Sequence, residues 1–192
     1  MKTTDPIRSK HHIREMAEYY LKRGKIRNYL LIVMGVHTGL RISDLLILRQ
    51  KDVYDFEQSS FLSHISIIER KTGKHRRIAV NVRVLQALNL FLGLQPSDPE
   101  GFLFKSRKQP DHAIGRIQAW RIIKEAAKAV GVAGRIACHS LRKTLGYFAW
   151  KAGVLPVMLM DIFNHSSFDV TRRYLGINQD ERDSVYLSME LF

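Results

Sequence analysis

One interval sets the architecture of this chain. Between Phe61 and Val80 the hydrophobic rhythm switches from helical to alternating, and the helical rhythm holds on either side of it. There Leu62, Ile65, Ile67 and Ile68 interleave with His64, Ser66 and Glu69. Lys71-Thr72-Gly73-Lys74 supplies turn residues, and Ile78 and Val80 alternate after it. That pattern predicts a β-hairpin. Upstream, Ile13, Met16, Ala17, Tyr20 and Leu21 fall at helical spacing and predict a helix over 10–23, which Gly24 ends. Ile26, Tyr29, Leu30, Val33 and Met34 predict a second, stopping near Thr38-Gly39. Ser43 reads as the N-cap of a short helix from Asp44 to Leu48.

Beyond the hairpin, Val84, Leu85, Leu88, Phe91 and Leu92 predict a helix over about 82–93. Gly93 to Gly101, with Pro96 and Pro99, reads as a loop. The remainder predicts helices at about 112–130, Ser140 to Lys151, Pro156 to Phe163, Ser167 to Leu175 and Asp180 to Glu190. The expected fold class is mainly α with a small antiparallel β-hairpin (α+β). A single domain is expected over 1–192, with a short N-terminal extension (about 1–25) and a helical C-terminal tail (about 177–192).

Charge narrows the function. Thirty-one Lys and Arg against 18 Asp and Glu leave a formal +13. A surplus of that size in one domain points to a polyanionic partner, because each neutralised phosphate releases a condensed counterion. Neither a basic amphipathic helix nor a lipidation motif stands out to favour a membrane surface. The apolar stretch from Tyr29 to Val36 is too short to span a bilayer. A lone Cys138 fits a reducing compartment, so a cytoplasmic location is expected. Eight histidines lie without a cysteine pair or an HExxH-type spacing, so no metal is expected.

Four segments carry chemistry: Thr38-Gly39-Leu40-Arg41-Ile42-Ser43-Asp44-Leu45, Lys71-Thr72-Gly73-Lys74, His139-Ser140-Leu141-Arg142, and Asn164-His165-Ser166-Ser167 with Tyr174 nine residues beyond His165. Each alone has a plain structural reading. Arg41 fits a surface arginine as well as one aimed at an anion near a helix N-terminus. Lys71 fits a solvated turn, and the His139–Arg142 pair fits a histidine satisfied by local hydrogen bonds beside a surface arginine. Tyr174 is one of seven tyrosines.

Taken in order, the four segments resemble the tyrosine recombinase (phage integrase) family over about Arg27 to Tyr174. The resemblance implies a domain that cuts and rejoins DNA through a 3′-phosphotyrosyl intermediate, without a cofactor. Arg41 and Arg142 match the arginines that clamp the scissile phosphate, and Tyr174 the nucleophile. Lys71 matches the general acid for the departing 5′ oxygen, His139 the residue handling the tyrosine proton, and His165 a phosphate hydrogen-bond donor. Asp44 takes an acidic position expected to orient a neighbour. Double-stranded DNA with specific sites, a homotetramer on synapsed DNA and accessory DNA-bending proteins are the implied partners.

Asn164 departs from the family pattern, which has glycine before the histidine. A separate N-terminal DNA-binding domain, common in the family, is not expected in the short stretch before the homology. Two competing readings share the residues: a DNA-binding regulator that has lost catalysis, and a type IB topoisomerase-like relaxing enzyme. On the tail, Val185, Met189 and Phe192 form an apolar stripe read either as packing on its own domain or as donated to a neighbouring subunit.

Overall fold

The computed structural model describes residues 4–94, 98–109 and 111–189. Nine α-helices and two antiparallel hairpins make up its regular structure among these residues. Helix α1 (Lys10–Leu21) starts at Ser9, whose hydroxyl accepts the His12 N–H, and buries Met16, Ala17 and Tyr20. These face α2 (Ile26–Thr38), the most buried helix, and α5 (Arg116–Ala129). The Tyr20 hydroxyl donates to the Ile122 carbonyl at 2.7 Å, which satisfies the one polar atom of a fully buried ring. Met16, Ala17 and Tyr20 thus join the main core.

Gly39 ends α2 in the left-handed region, at φ 59°. The left-handed backbone calls for glycine, and a β-carbon there would also push on Leu145 Cδ2 at 2.5 Å. The chain then runs extended through Arg41, which is itself the N-cap of α3 (Ile42–Leu45). This helix begins earlier than the sequence predicts. Ser43 lies inside it, with its hydroxyl turned to Asp44 Oδ1 at 3.4 Å, because the Arg41 carbonyl already accepts the Asp44 and Leu45 N–H groups.

The expected hairpin is present as β3 (His64–Ile68) and β4 (His75–Ala79), paired Ile65↔Ile78 and Ile67↔Arg76. Gly73 at φ 67° and a Gly73 N–H to Glu69 carbonyl bond of 2.8 Å shape its turn. A two-residue-per-strand hairpin, β1 (Tyr54–Asp55) with β2 (Ser60–Phe61), precedes it and was not legible from period alone. Helix α4 (Val82–Leu92) is capped by Asn81, whose side chain accepts from Arg83 and Val84 N–H. The predicted loop at 93–101 holds in part: Phe102 after it bridges Arg49, while Pro96 lies outside the described residues. Helix α5 starts later than expected, since Ile114 N–H donates to the Phe104 carbonyl at 2.7 Å and holds that stretch extended.

Helix α6 (Cys138–Lys151) begins before Ser140, whose hydroxyl reaches back to the Ala137 N–H at 3.0 Å. It belongs to two cores. Leu141 joins the main cluster, while Tyr147 joins a smaller one with Leu159, Phe163, Leu175 and Ile177. That second cluster seats α7 (Pro156–Phe163) and α8 (Phe168–Leu175) on α6. Gly146 permits the approach: a β-carbon there would fall 2.4 Å from Leu175 Cδ2 and 2.6 Å from Phe163 Cε2. Segment 4–9 runs along α6, where the Ile7 N–H donates to Thr144 Oγ1 at 2.8 Å. Helix α9 (Asn178–Ser188) follows, tied to that segment by an Arg8–Asp180 ion pair. Among the described residues no helix is long and apolar enough to cross a membrane.

Candidate active site

The seam between the two cores gathers five of the predicted residues, Arg41, His139, Arg142, His165 and Tyr174. Arg142, on the first turns of α6, is 3% exposed. Its guanidinium donates to the Gly39 carbonyl on one side and to the Phe163 carbonyl at 3.3 Å on the other. It also lies 4.8 Å from the Phe163 ring centroid. The arginine thus bridges the turn before Arg41 and the end of α7. Burial pulls its pKa down to about 10, which leaves it charged at neutral pH.

Asn164 ends α7 with φ 53° and ψ 54°, so the residue in place of glycine takes the left-handed conformation. The next residue, His165, bonds through Nδ1 to Thr171 Oγ1 at 3.0 Å. Thr171 is fully buried and passes the chain of bonds to the Ser167 carbonyl at 3.3 Å. Ser167 caps α8, and Tyr174 stands one turn beyond Thr171 on the same helix. The Tyr174 ring packs edge-on to His165 and 5.5 Å from Phe163. Burial raises the phenol above its ordinary pKa, opposed by the charge and hydrogen-bonding capacity of Arg142 and by Arg41.

His139 opens onto the same cleft. This cavity of about 670 Å³ is lined by Arg116, Trp120, His139, Lys143, Arg173 and Tyr174, among others. Burial first, then Arg116, Arg142, Lys143 and Arg41, lowers the His139 pKa. Burial, Arg142 and Arg41 do the same to His165. Both imidazoles are therefore neutral near pH 7, the state in which one nitrogen accepts a proton. The charges of Arg41 and Arg142 act on His139, His165 and Tyr174 alike.

Asp44 and Lys71 stand apart from this cluster. Asp44 is 1% exposed, and its Oδ1 accepts the Arg70 N–H at 3.2 Å. It therefore fastens α3 to the base of the hairpin turn. Lys71 sits exposed on that turn, at the residue after the fastening point. Three further residues were given no role by the sequence. Glu69 is 1% exposed and ion-paired with both Arg41 and Arg76. Lys74 donates to Asn164 Oδ1 at 2.6 Å and so joins the turn to the loop before His165. Lys143, 4% exposed, donates to the Thr4 carbonyl at 2.6 Å and lies 5.0 Å from the Tyr174 ring centroid. A single acid closing an apolar strand, ahead of a basic turn, was the available signal for Glu69. Lys143 and Lys74 carried none, since nothing local distinguishes them from solvated lysines.

Known proteins resemble this chain over most of its length. The phage integrase family model matches residues 9–181, so α1 lies inside the matched region. The chain is 37% identical over 188 residues to the Bacillus subtilis (strain 168) protein named probable integrase/recombinase YoeC, covering 97% of each. The crystal structure of XerA recombinase matches with a TM-score of 0.74 at 21% identity, over 100% of this chain and 65% of that one. A structure of XerH site-specific recombinase bound to palindromic difH substrate matches at 0.69 and 20% identity, over 91% of this chain and 50% of that one. The chain thus spans nearly all of YoeC but only half to two thirds of those two recombinases. The chain belongs to the phage integrase family of tyrosine-type site-specific recombinases.

Proposed function

We propose that this chain cuts and rejoins duplex DNA at specific sites, with Tyr174 as the covalent nucleophile acting within its own subunit. The observation that carries this reading is the position of Tyr174, packed on His165 and facing Arg142 of the same chain. In the forward step the Tyr174 oxygen attacks the scissile phosphorus and its proton passes to neutral His139. The P–O5′ bond breaks and Lys71 protonates the departing 5′ oxygen. The product is a 3′-phosphotyrosyl link and a free 5′ hydroxyl. Attack by a 5′ hydroxyl reverses every transfer, so the phosphodiester is restored without an external energy source. Arg41 and Arg142 meet the charge on the non-bridging oxygens in the transition state, and His165 adds a hydrogen bond there. Lys71 lies exposed on a turn fastened at Asp44 and Lys74, within reach of DNA laid across the cleft.

The surface supports a long anionic partner. A second cleft, of about 800 Å³, carries Lys25, Arg27, Lys105, Arg107 and Lys108 beside Glu125. Arg27 is partly buried there, and burial together with the charge of Arg107 lowers its pKa. Phosphates would relieve that repulsion. Assembly on synapsed sites as a tetramer, with the tail of one subunit on its neighbour, completes the proposal. Val185, Tyr186, Leu187 and Met189 support it, being between 56% and 84% exposed on their own chain. Phe192 lies outside the described residues.

A nicked duplex that loses a short 5′ fragment after cleavage tests the chemistry. Wild type is expected to accumulate a covalent protein–DNA adduct, and Tyr174→Phe none. An adduct from Tyr174→Phe would shift the nucleophile elsewhere, with the exposed Tyr186 the first alternative.

A further inference from the structure

Glu69 closes strand β3 at the point where the hairpin turn begins, and its side chain is 1% exposed. Each carboxylate oxygen is taken. Oε2 holds Arg41 and accepts the Thr72 hydroxyl at 2.8 Å, while Oε1 holds Arg76 at 3.1 Å. Burial pushes the carboxyl pKa up, but the hydrogen bonds from Arg41, Thr72 and Arg76 outweigh it and hold the value at about 2. The group is an anion at any physiological pH.

The consequence for Arg41 is geometric. An arginine side chain has many rotamers, and a phosphate-binding guanidinium works only if its free edge already faces the phosphate. Glu69 engages Arg41 through Nη1, which leaves Nη2 and Nε as the edge for a second oxyanion. Arg76 and Thr72 keep the carboxylate from turning away. Thr72 comes from the turn that carries Lys71 and Arg76 from strand β4 just after it, so one carboxylate spans the charge-stabilising arginine and the hairpin of the general acid.

The charge balance points the same way. Arg142 feels both Arg76 and Arg41 as repulsive charges and Glu69 as an attractive one. Without Glu69, Arg142 would keep the repulsion of Arg41 and Arg76 and lose this attraction, before any DNA arrives. Two arginines on one buried carboxylate is also costly to break, since a partner removed leaves a buried charge behind.

Resting on the strand-cutting reading above, we infer that Glu69 is a positioning residue for catalysis. Held by Arg76 and Thr72, it sets the Arg41 guanidinium against the scissile phosphate and ties it to the hairpin of Lys71.

The test uses the full chain and two suicide duplexes, one with an ordinary scissile phosphodiester and one with a methylphosphonate there. The methylphosphonate lacks one non-bridging charge, so it depends less on a correctly aimed Arg41. Single-turnover adduct formation is measured for wild type, Glu69→Gln and Arg41→Ala, with duplex affinity measured alongside. On the phosphodiester, Glu69→Gln is expected to be slower by about 100-fold, with affinity within about threefold of wild type. On the methylphosphonate the deficits of Glu69→Gln and Arg41→Ala are both expected to shrink to within about threefold. Glu69→Asp, which keeps the charge and folds more readily, should show a smaller deficit with the same substrate dependence. Equal deficits on both duplexes, in Glu69→Gln and Glu69→Asp alike, would overturn the positioning role and leave Glu69 merely structural. So would an unimpaired Glu69→Gln. No adduct from wild type on either duplex would instead overturn the strand-cutting reading itself.

Discussion

The Tyr174 ring stands edge-on to the His165 imidazole, with centroids 5.0 Å apart and planes at 75°. Phe163 stacks on the same imidazole at 5.7 Å and lies 5.5 Å from the Tyr174 ring, so the three rings pack against one another. The ring of Tyr174, the proposed nucleophile, is therefore fixed by packing. Tyr174→Phe keeps all of that packing. Its urea unfolding should match wild type within about 0.5 kcal/mol. Tyr174→Ala removes the ring and should cost about 2–4 kcal/mol. A large loss in Tyr174→Phe would mean that the hydroxyl has a structural task that the packing does not reveal.

The two site histidines give the rate a defined pH dependence. Burial and neighbouring cations lower both pKa values, so each is neutral above the ordinary histidine value and takes its proton only below it. Cleavage that needs neutral His139 should be flat from about pH 8 down to about 6.5 and fall only on further acidification. His139→Gln should be slower throughout and lack the acid fall. Single-turnover cleavage at saturating enzyme measures this. A decline centred above pH 7 in wild type would contradict neutral histidines in the site.

Helix α8 carries Tyr174 and reaches α6 only because Gly146 has no side chain. A methyl group there would sit 2.4 Å from Leu175 and 2.6 Å from Phe163, both in the small second core. Gly146→Ala should therefore destabilise by about 1–3 kcal/mol through overpacking. It should also slow adduct formation by more than it weakens duplex binding, because α8 is pushed from the site while the basic surface is untouched. Thermal unfolding and adduct assays on one preparation check both halves.

Much of this site was legible because its residues sit at punctuation in the chain. Arg41 follows a left-handed glycine, Arg142 and His139 open a helix, and His165 follows a helix stop, so local pattern marks each one. The β3–β4 hairpin was legible for the same reason: period two and a glycine turn are short-range signals. Glu69, Lys74 and Lys143 were not, because their roles come from partners 28, 90 and 139 residues away. The β1–β2 hairpin, two residues per strand, is too short to show a period. The start of α5 was missed because a backbone bond to Phe104, not a local stop signal, holds Ile114 extended.

The depressed Glu69 carboxyl makes a stability statement that can be read without DNA. Its folded pKa of about 2 lies below the ordinary 4.5, so its contribution is fully present above pH 4.5 and is lost as pH falls toward 2. Glu69→Gln cannot titrate there. Between pH 4.5 and 2 its unfolding free energy should fall less steeply with pH than that of wild type, from a lower starting value. Parallel slopes in chemical denaturation across that range would mean that the Arg41 and Arg76 pairs do not hold in solution.

The C-terminal helix separates an assembly role from a folding role. Arg8 anchors its first turn through Asp180 and through the Gly176 carbonyl at 2.8 Å. Past that anchor, Val185, Tyr186, Leu187 and Met189 lie uncovered on their own chain, an apolar stretch that a monomer gains nothing by presenting. Removing residues 184–192 deletes this stretch and leaves the anchor. The truncated protein should keep its melting temperature and its affinity for a single duplex site, while higher assembly on paired sites falls by at least about tenfold. Analytical ultracentrifugation with labelled duplex reads assembly, and circular dichroism reads the fold. Unchanged assembly would sink the exchange of the tail between subunits. A lowered melting temperature would show that the tail packs on its own domain instead.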